Sequence, residues 1–312
     1  MAFSNNREAS TIEGTLTQKQ NGTGTILTVS TFTASRAKYS AKIKVPATLM
    51  TGTSQRFNVI LPSVPQDGLP ASKYPPGTGI GSMILGSDGT AKFAGILADN
   101  TPFTASAALS PANQAPLFVS LYTNKGHLAG TVNVLPSNNP GYDTYGVNYL
   151  WNRPAQPPPA KVQWYPEGWP NGIILDMVGA QYKVPAATLN QSVIPGLGPV
   201  HSTNGNATLT FMDGLLSSTR NYAVNITTKD AVTPLPLKTK DFTLTLTKTT
   251  GEISGTFTHT DTKKPAFKAT TIQKPGDYQG TYGFFMSVPP DKTSTNGEGG
   301  SVMLLPGALA AP

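Results

Sequence analysis

Asp241-Phe-Thr-Leu-Thr-Leu-Thr-Lys248 alternates apolar and hydroxyl side chains without a break. Phe242, Leu244 and Leu246 point one way and the threonines the other, which is the pattern of a half-buried antiparallel strand. Thr249-Thr-Gly-Glu252 can reverse the chain, and Ile253, Gly255 and Phe257 resume the alternation, so the segment reads as a hairpin. The same device recurs at Met83 and Leu85, a turn at Gly86-Ser-Asp-Gly89, then Ala91, Phe93, Gly95 and Leu97. It returns at Leu117, Val119 and Leu121, a turn at Asn124-Lys-Gly126, then Leu128, Gly130 and Val132.

A short theme follows these turns. Phe93-Ala-Gly95-Ile-Leu97, Leu128-Ala-Gly130-Thr-Val132 and Ile253-Ser-Gly255-Thr-Phe257 share it, and Ile12-Glu-Gly14-Thr-Leu16 is a fourth copy. Glycine inside a strand sacrifices packing, so its recurrence predicts a bulge, a bend or a large side chain lying across it. The copies are unequally spaced, which argues against a solenoid and for hairpins in a barrel or sandwich. No stretch carries a sustained helical period, although Val184–Val193 has room for one or two turns.

The expectation is an all-β protein of antiparallel hairpins forming one or two barrels or sandwiches, with little or no helix. The prolines Pro154, Pro157, Pro158 and Pro159 interrupt the strand pattern. They suggest an N-terminal unit over 1–150, a proline-rich linker or loop over 151–162 and a C-terminal unit over 163–312. One composite barrel is the alternative.

Composition narrows the chemistry. Only 12% of the 312 residues are charged, yet twelve Phe, eleven Tyr and three Trp give the chain enough apolar bulk to fold. The net charge is +7, but the basic residues are scattered. The tightest group, Arg36, Lys38, Lys42 and Lys44, reads as one solvated face of an extended segment, and no nucleic-acid partner is expected. Cysteine is absent, which removes disulfides, thiolate nucleophiles and cysteine-held metals. Cysteine-free, Thr- and Gly-rich chains are common among exported bacterial β proteins, so an extracellular or cell-surface location is expected. Met1–Ser10 has no apolar core of a signal peptide, and no apolar run is long enough to span a membrane as a helix.

From about Thr33 onward the chain resembles β-rich modules of large predicted outer-surface or secreted proteins of environmental bacteria. The resemblance rests on Pro76-Gly-Thr-Gly-Ile-Gly81, Gly95-Ile-Leu-Ala-Asp-Asn-Thr101, Ala115–Tyr122 with Lys125–Gly130, Leu150-Trp151, Tyr165-Pro-Glu-Gly-Trp169, Tyr182-Lys-Val-Pro185, Gly283-Phe-Phe285 and Gly300–Pro306. Trp169 stands where such modules usually have Phe. The resemblance implies an exported β module and carries over no catalytic residue.

The stretch Tyr142–Trp169 holds all three tryptophans among prolines. Tyr142, Tyr149, Trp151, Trp164, Tyr165 and Trp169 are therefore the candidate ligand-binding residues, because stiffened loops display rings to sugars or other polymers. The bland alternative, strongest for Trp151, is that these rings fill a core. The Tyr165–Pro170 turn is the part best suited to display. An atypical hydrolase of an ester, lactone or glycoside is the second reading. No G-x-S-x-G elbow exists, so His201, Asp176 and Glu167 are its candidate catalytic residues. His127 and His259 are expected at the surface. No cofactor is required. Calcium, which needs only oxygen ligands, is an option at Asp143 and Asp176, whereas Asp88 and Asp99 read as turn residues. Oligomeric state is open.

Overall fold

A computed structural model describes residues 11–309 except 67–68, 70–72, 157–162, 261 and 288–295. The chain is all-β, with two nearly closed antiparallel barrels. No α-helix occurs among the described residues, and Ala187–Leu189 forms a single 3-10 turn.

A hairpin of β1 (Thr11–Lys19) and β2 (Ile26–Ser35) makes a sheet of its own. Barrel one takes β3 (Ser54–Leu61), β4 (Gly79–Gly86), β5 (Thr90–Ile96), β6 (Pro102–Ala108), β7 (Gln114–Leu121), β8 (Gly126–Val134), β9 (Thr144–Arg153) and, after the two-residue β10 (Gln163–Trp164), β11 (Trp169–Gln181). Their spatial order is β6-β5-β4-β3-β11-β9-β8-β7, and the end strands β6 and β7 lie side by side. Barrel two takes β12 (Ala207–Asp213), β13 (Arg220–Ile226), β14 (Val232–Pro234), β15 (Phe242–Thr247), β16 (Glu252–Phe257), β17 (Ala266–Ile272), β18 (Gly280–Ser287) and β19 (Asn296–Pro306). Its order is β14-β13-β12-β19-β18-β17-β16-β15, and β10 adds to β19 in parallel.

Alternation drives both closures. In β7, Ala115, Leu117, Val119 and Leu121 are buried while Gln114, Pro116, Phe118 and Ser120 are exposed. In β15, Phe242 and Leu244 are buried between exposed threonines. The expected hairpins β4–β5, β7–β8 and β15–β16 all form. The recurring glycines lie under aromatic rings: Phe103 covers Gly95, Tyr149 covers Gly130 and Phe267 covers Gly255. A β-carbon at any of the three would intrude on its ring, so the missing side chain makes room for the core.

Strand pairing moves the boundary expected at residue 150. β9 pairs with β11, placing Arg153 opposite Trp169, so the proposed linker starts inside a strand of barrel one. Pairing continues across this point because β11 buries Trp169, Ile173, Leu175 and Met177 in the same core as β9. The passage between barrels comes later, between Gln181 and Ala207. Pro157, Pro158 and Pro159 lie outside the described residues. The basic group Arg36–Lys44 is solvent-exposed as expected, but it follows β2 as irregular chain and is not a strand face.

The barrels share a packed seam. Ile60, Val178 and Ala180 on the outside of barrel one meet Ile272, and Ile80 and Ala98 meet Phe284. Asn58 and Arg56 find partners across the seam. The buried Asn58 amide donates to the Thr250 and Thr271 carbonyls at 2.8 and 3.1 Å, and Arg56 pairs with Glu252 at 3.1 Å. β3 is therefore covered on both faces, one by its own core and one by barrel two.

Candidate functional site

Period two along β9 sends Tyr149, Trp151 and Arg153 to the interior of barrel one. A guanidinium placed there requires a partner. Asp99, in the turn between β5 and β6, supplies it: its side chain is fully buried and lies 3.3 Å from Arg153. The Tyr122 hydroxyl donates to Asp99 at 2.7 Å and accepts the Trp151 indole N–H at 2.9 Å. Arg153 also lies over the rings of Tyr122, Tyr165 and Trp169, and it donates to the Trp164 carbonyl at 2.7 Å. Burial, then the adjacent Asp99 charge, pushes the Tyr122 hydroxyl well above the ordinary phenol range.

The turn 165–168 caps this cluster and reaches across to barrel two. The Tyr165 hydroxyl accepts the Gly299 N–H at 2.7 Å, and the Trp164 indole donates to the Ser287 carbonyl at 2.6 Å. Tyr149, Trp151, Tyr165 and Trp169 are buried in the core of barrel one. The core reading holds for Trp151. The display expected of Tyr165 and Trp169 does not occur, because Trp151 packs edge-on to Trp169 and Trp169 edge-on to Tyr165. Trp164 is half-buried against the same core.

Tyr142 alone of the six candidates lies away from that cluster, its ring half-buried on the seam. Its ring centre lies 5.4 Å from that of the half-buried Tyr145, the two rings tilted by 50°. Tyr142 and the half-buried Tyr278 both pack on the seam cluster of Ile60, Val178, Ala180 and Ile272. The loop behind them is pinned by Asp143, which accepts the Gln181 N–H and pairs with Lys274 of barrel two. That ion pair accounts for Asp143, which was a candidate calcium ligand. Asp176, the other candidate, accepts a long 3.4 Å bond from the Asn148 N–H. No group of three or more metal-ligating side chains occurs among the described residues.

Just outside the Tyr165 turn, a cleft of about 170 Å³ is lined by Lys73, Glu167, Asn296 and Glu298. Glu167 pairs with Lys73 at 2.7 Å. Partial burial raises the Glu298 carboxyl above its usual range; a hydrogen bond from the Leu215 backbone opposes this, and the nearby Asp213 charge adds to it. Glu167 thus shares a cleft with Glu298, not with Asp176, which lies on β11. Nothing in the glycine-rich Asn296–Gly300 marks Glu298 as a site residue; it lies near the start of β19.

The histidines stay apart. His201 is exposed, its backbone clasped by the Asn225 side chain, and it lies beyond barrel one, which carries Asp176. His127 is half-buried and stacks on Phe118. His259, expected at the surface, is buried against Phe257 and Phe285 with its Nε2 at 2.9 Å from the Gly214 carbonyl. Asp88 and Asp99 are turn residues as expected, accepting the N–H of Thr90 and Thr101 at 3.0 Å.

These features define a two-barrel all-β protein whose half-buried tyrosine rings and Glu167–Glu298 cleft lie where the barrels meet. No helix is long and apolar enough to cross a membrane among the described residues. Comparison with family models, curated proteins and solved structures found no match.

Proposed function

We propose that the chain is an exported, cell-surface binding module that holds a polysaccharide or other polymer on the half-buried tyrosines of the seam. The carrying observation is the Tyr142–Tyr145 pair, 5.4 Å apart and fixed to a packed junction. Ring faces offer flat apolar area to sugar C–H groups or aliphatic chains, and a rigid mounting limits the entropy lost on binding. Tyr278, packed on the same seam cluster, extends the aromatic content of the surface. The cysteine-free, charge-poor composition supports export, and kinship with β modules of large bacterial surface proteins is proposed with it.

Pull-down on insoluble polysaccharides, with and without EDTA, tests the reading. Binding should survive the chelator and fall about tenfold in the Tyr142→Ala/Tyr145→Ala double variant. Undiminished binding by a folded double variant would defeat it.

One observation favours a second reading, hydrolysis of a glycoside, ester or lactone. Glu298 and Glu167 line one cleft, and partial burial raises the Glu298 carboxyl above its usual range. Two carboxyls lining one cleft are the side chains that acid/base hydrolysis of such bonds uses. Turnover of chromogenic glycosides, esters and lactones that disappears in Glu298→Gln would establish it, and absence of turnover across the panel would discard it.

A further inference from the structure

A cleft of about 390 Å³ opens between the barrels, walled by β4 and β5 on one side and by β16 and β17 on the other. Small-molecule sites usually span about 300–1,000 Å³, so the space suits one compact ligand. The two walls differ in chemistry. On barrel one, Ile80 stands opposite Ile96 and Ser82 opposite Ala94, a surface of apolar and small side chains. On barrel two, Glu252 stands opposite Thr270 and Ser254 opposite Lys268, all four polar. Alternation turns these four outward, because Ile253, Phe267 and Ala269 between them belong to the barrel two core. The cleft runs from the buried Ile80 and Thr270 to a mouth at the exposed Ala94, Ser254 and Lys268.

Two groups on the polar wall want partners. Lys268 makes no ion pair among the described residues, whereas Glu252 is already held by Arg56 at 3.1 Å. Thr270 is 1% exposed, and its buried hydroxyl has no hydrogen-bond partner among the described residues. A hydroxyl buried without a bond is costly, and a ligand oxygen beside it would remove that cost. Two residues apart on one face, Lys268 and Thr270 are spaced by about 7 Å of strand. We propose that this cleft binds a small organic acid with an apolar body and a second oxygen at its far end. The carboxylate meets Lys268 and the Ser254 hydroxyl at the mouth, the body lies on Ile80 and Ile96, and the far oxygen bonds the Thr270 hydroxyl. This site is separate from the Tyr142–Tyr145 surface and from the Glu167–Glu298 cleft, and neither of those readings depends on it.

Calorimetric titration of the full chain with phloretate, a phenol joined to a propionate, tests this. Saturable binding at one site is expected. Phloretamide, which lacks the charge, should bind about tenfold more weakly, and tyramine, with an ammonium in place of the carboxylate, should not bind. Hydrocinnamate, which lacks the phenol oxygen, should bind about threefold more weakly than phloretate. Thr270→Val keeps the shape of the side chain and should remove that difference. Lys268→Met should weaken phloretate about tenfold or more. Ala94→Trp, which fills the mouth from an exposed position, should abolish binding. Lys92→Met, on the outer face of β5 but outside the cleft, should leave it unchanged. No saturable binding of phloretate, equal affinity for acid and amide, or wild-type affinity in Lys268→Met or Ala94→Trp would overturn the proposal. So would a preference for the phenol that persists in Thr270→Val.

Discussion

Asp99 holds Arg153 across 3.3 Å in the interior of barrel one, the carboxylate fully buried and the guanidinium ringed by Tyr122, Tyr165 and Trp169. Removing one member of a buried pair strands the other charge. Asp99→Ala should therefore cost about 3–5 kcal/mol in denaturant unfolding. Tyr122→Phe, which deletes the hydroxyl between Asp99 and Trp151, should cost about 1–3 kcal/mol. An Asp99→Ala variant within 1 kcal/mol of wild type (about the worth of an exposed pair) would mean the pair is solvated.

The glycine beneath Tyr149 has no room for a methyl group. Gly130→Ala would drive the new carbon into the Tyr149 ring, which is buried on every side. Overpacking of this kind costs about 1–3 kcal/mol, and a thermal melt should show it. Gly141→Ala, where nothing lies near, is a weaker steric test and should differ for a different reason, its positive φ.

Tyrosine ionisation gives the pH dependence its sign. Burial raises the hydroxyls of Tyr122, Tyr149, Tyr165 and Tyr182, and less strongly those of Tyr222 and Tyr282. A group raised on folding contributes stability that is complete below its unfolded value, about 10 for tyrosine, and lost as pH climbs beyond it. Stability should thus fall steeply above about pH 10. Tyrosinate absorbance should rise for only part of the eleven tyrosines before unfolding releases the rest. A full eleven-tyrosine titration near the free-phenol value in the folded protein would refute this.

Asn58 couples the barrels. Its amide serves two carbonyls of barrel two from a strand of barrel one and is 0% exposed. Differential scanning calorimetry should show one cooperative transition for the wild type. Asn58→Ala leaves the buried Thr271 carbonyl and the part-buried Thr250 carbonyl short of a donor, costs about 1–3 kcal/mol and should broaden or split that transition. An unchanged endotherm would show that the apolar seam alone joins the barrels.

The hairpins were legible because Thr, Leu and Phe alternate so strictly in stretches such as 241–248 that one face had to be buried. The fate of the aromatic stretch was harder to see. Alternation along Tyr149-Leu-Trp-Asn-Arg153 sends Arg153 inward with the two rings, and an inward arginine signals a buried polar cluster that rings and a carboxylate must enclose. The prolines after it suggested a boundary. Proline only interrupts a ladder, however, and the apolar face of β11 returned the chain to the same barrel. Asn58 and Ile60 were illegible for another reason. β3 is buried on both sides, and a face covered by a neighbouring barrel shows no period of its own.

β3 and β11 begin and end barrel one, and they pair antiparallel with Phe57 opposite Gln181 and Ile60 opposite Val178. The chain enters and leaves this barrel at neighbouring points. Tension applied through the backbone would load those cross-links one after another, peeling the strands apart like a zip, and would not share the load along the ladder. Within a chain under pull, barrel one would act as a yielding element that lengthens at low force, measurable as an early step in single-molecule stretching.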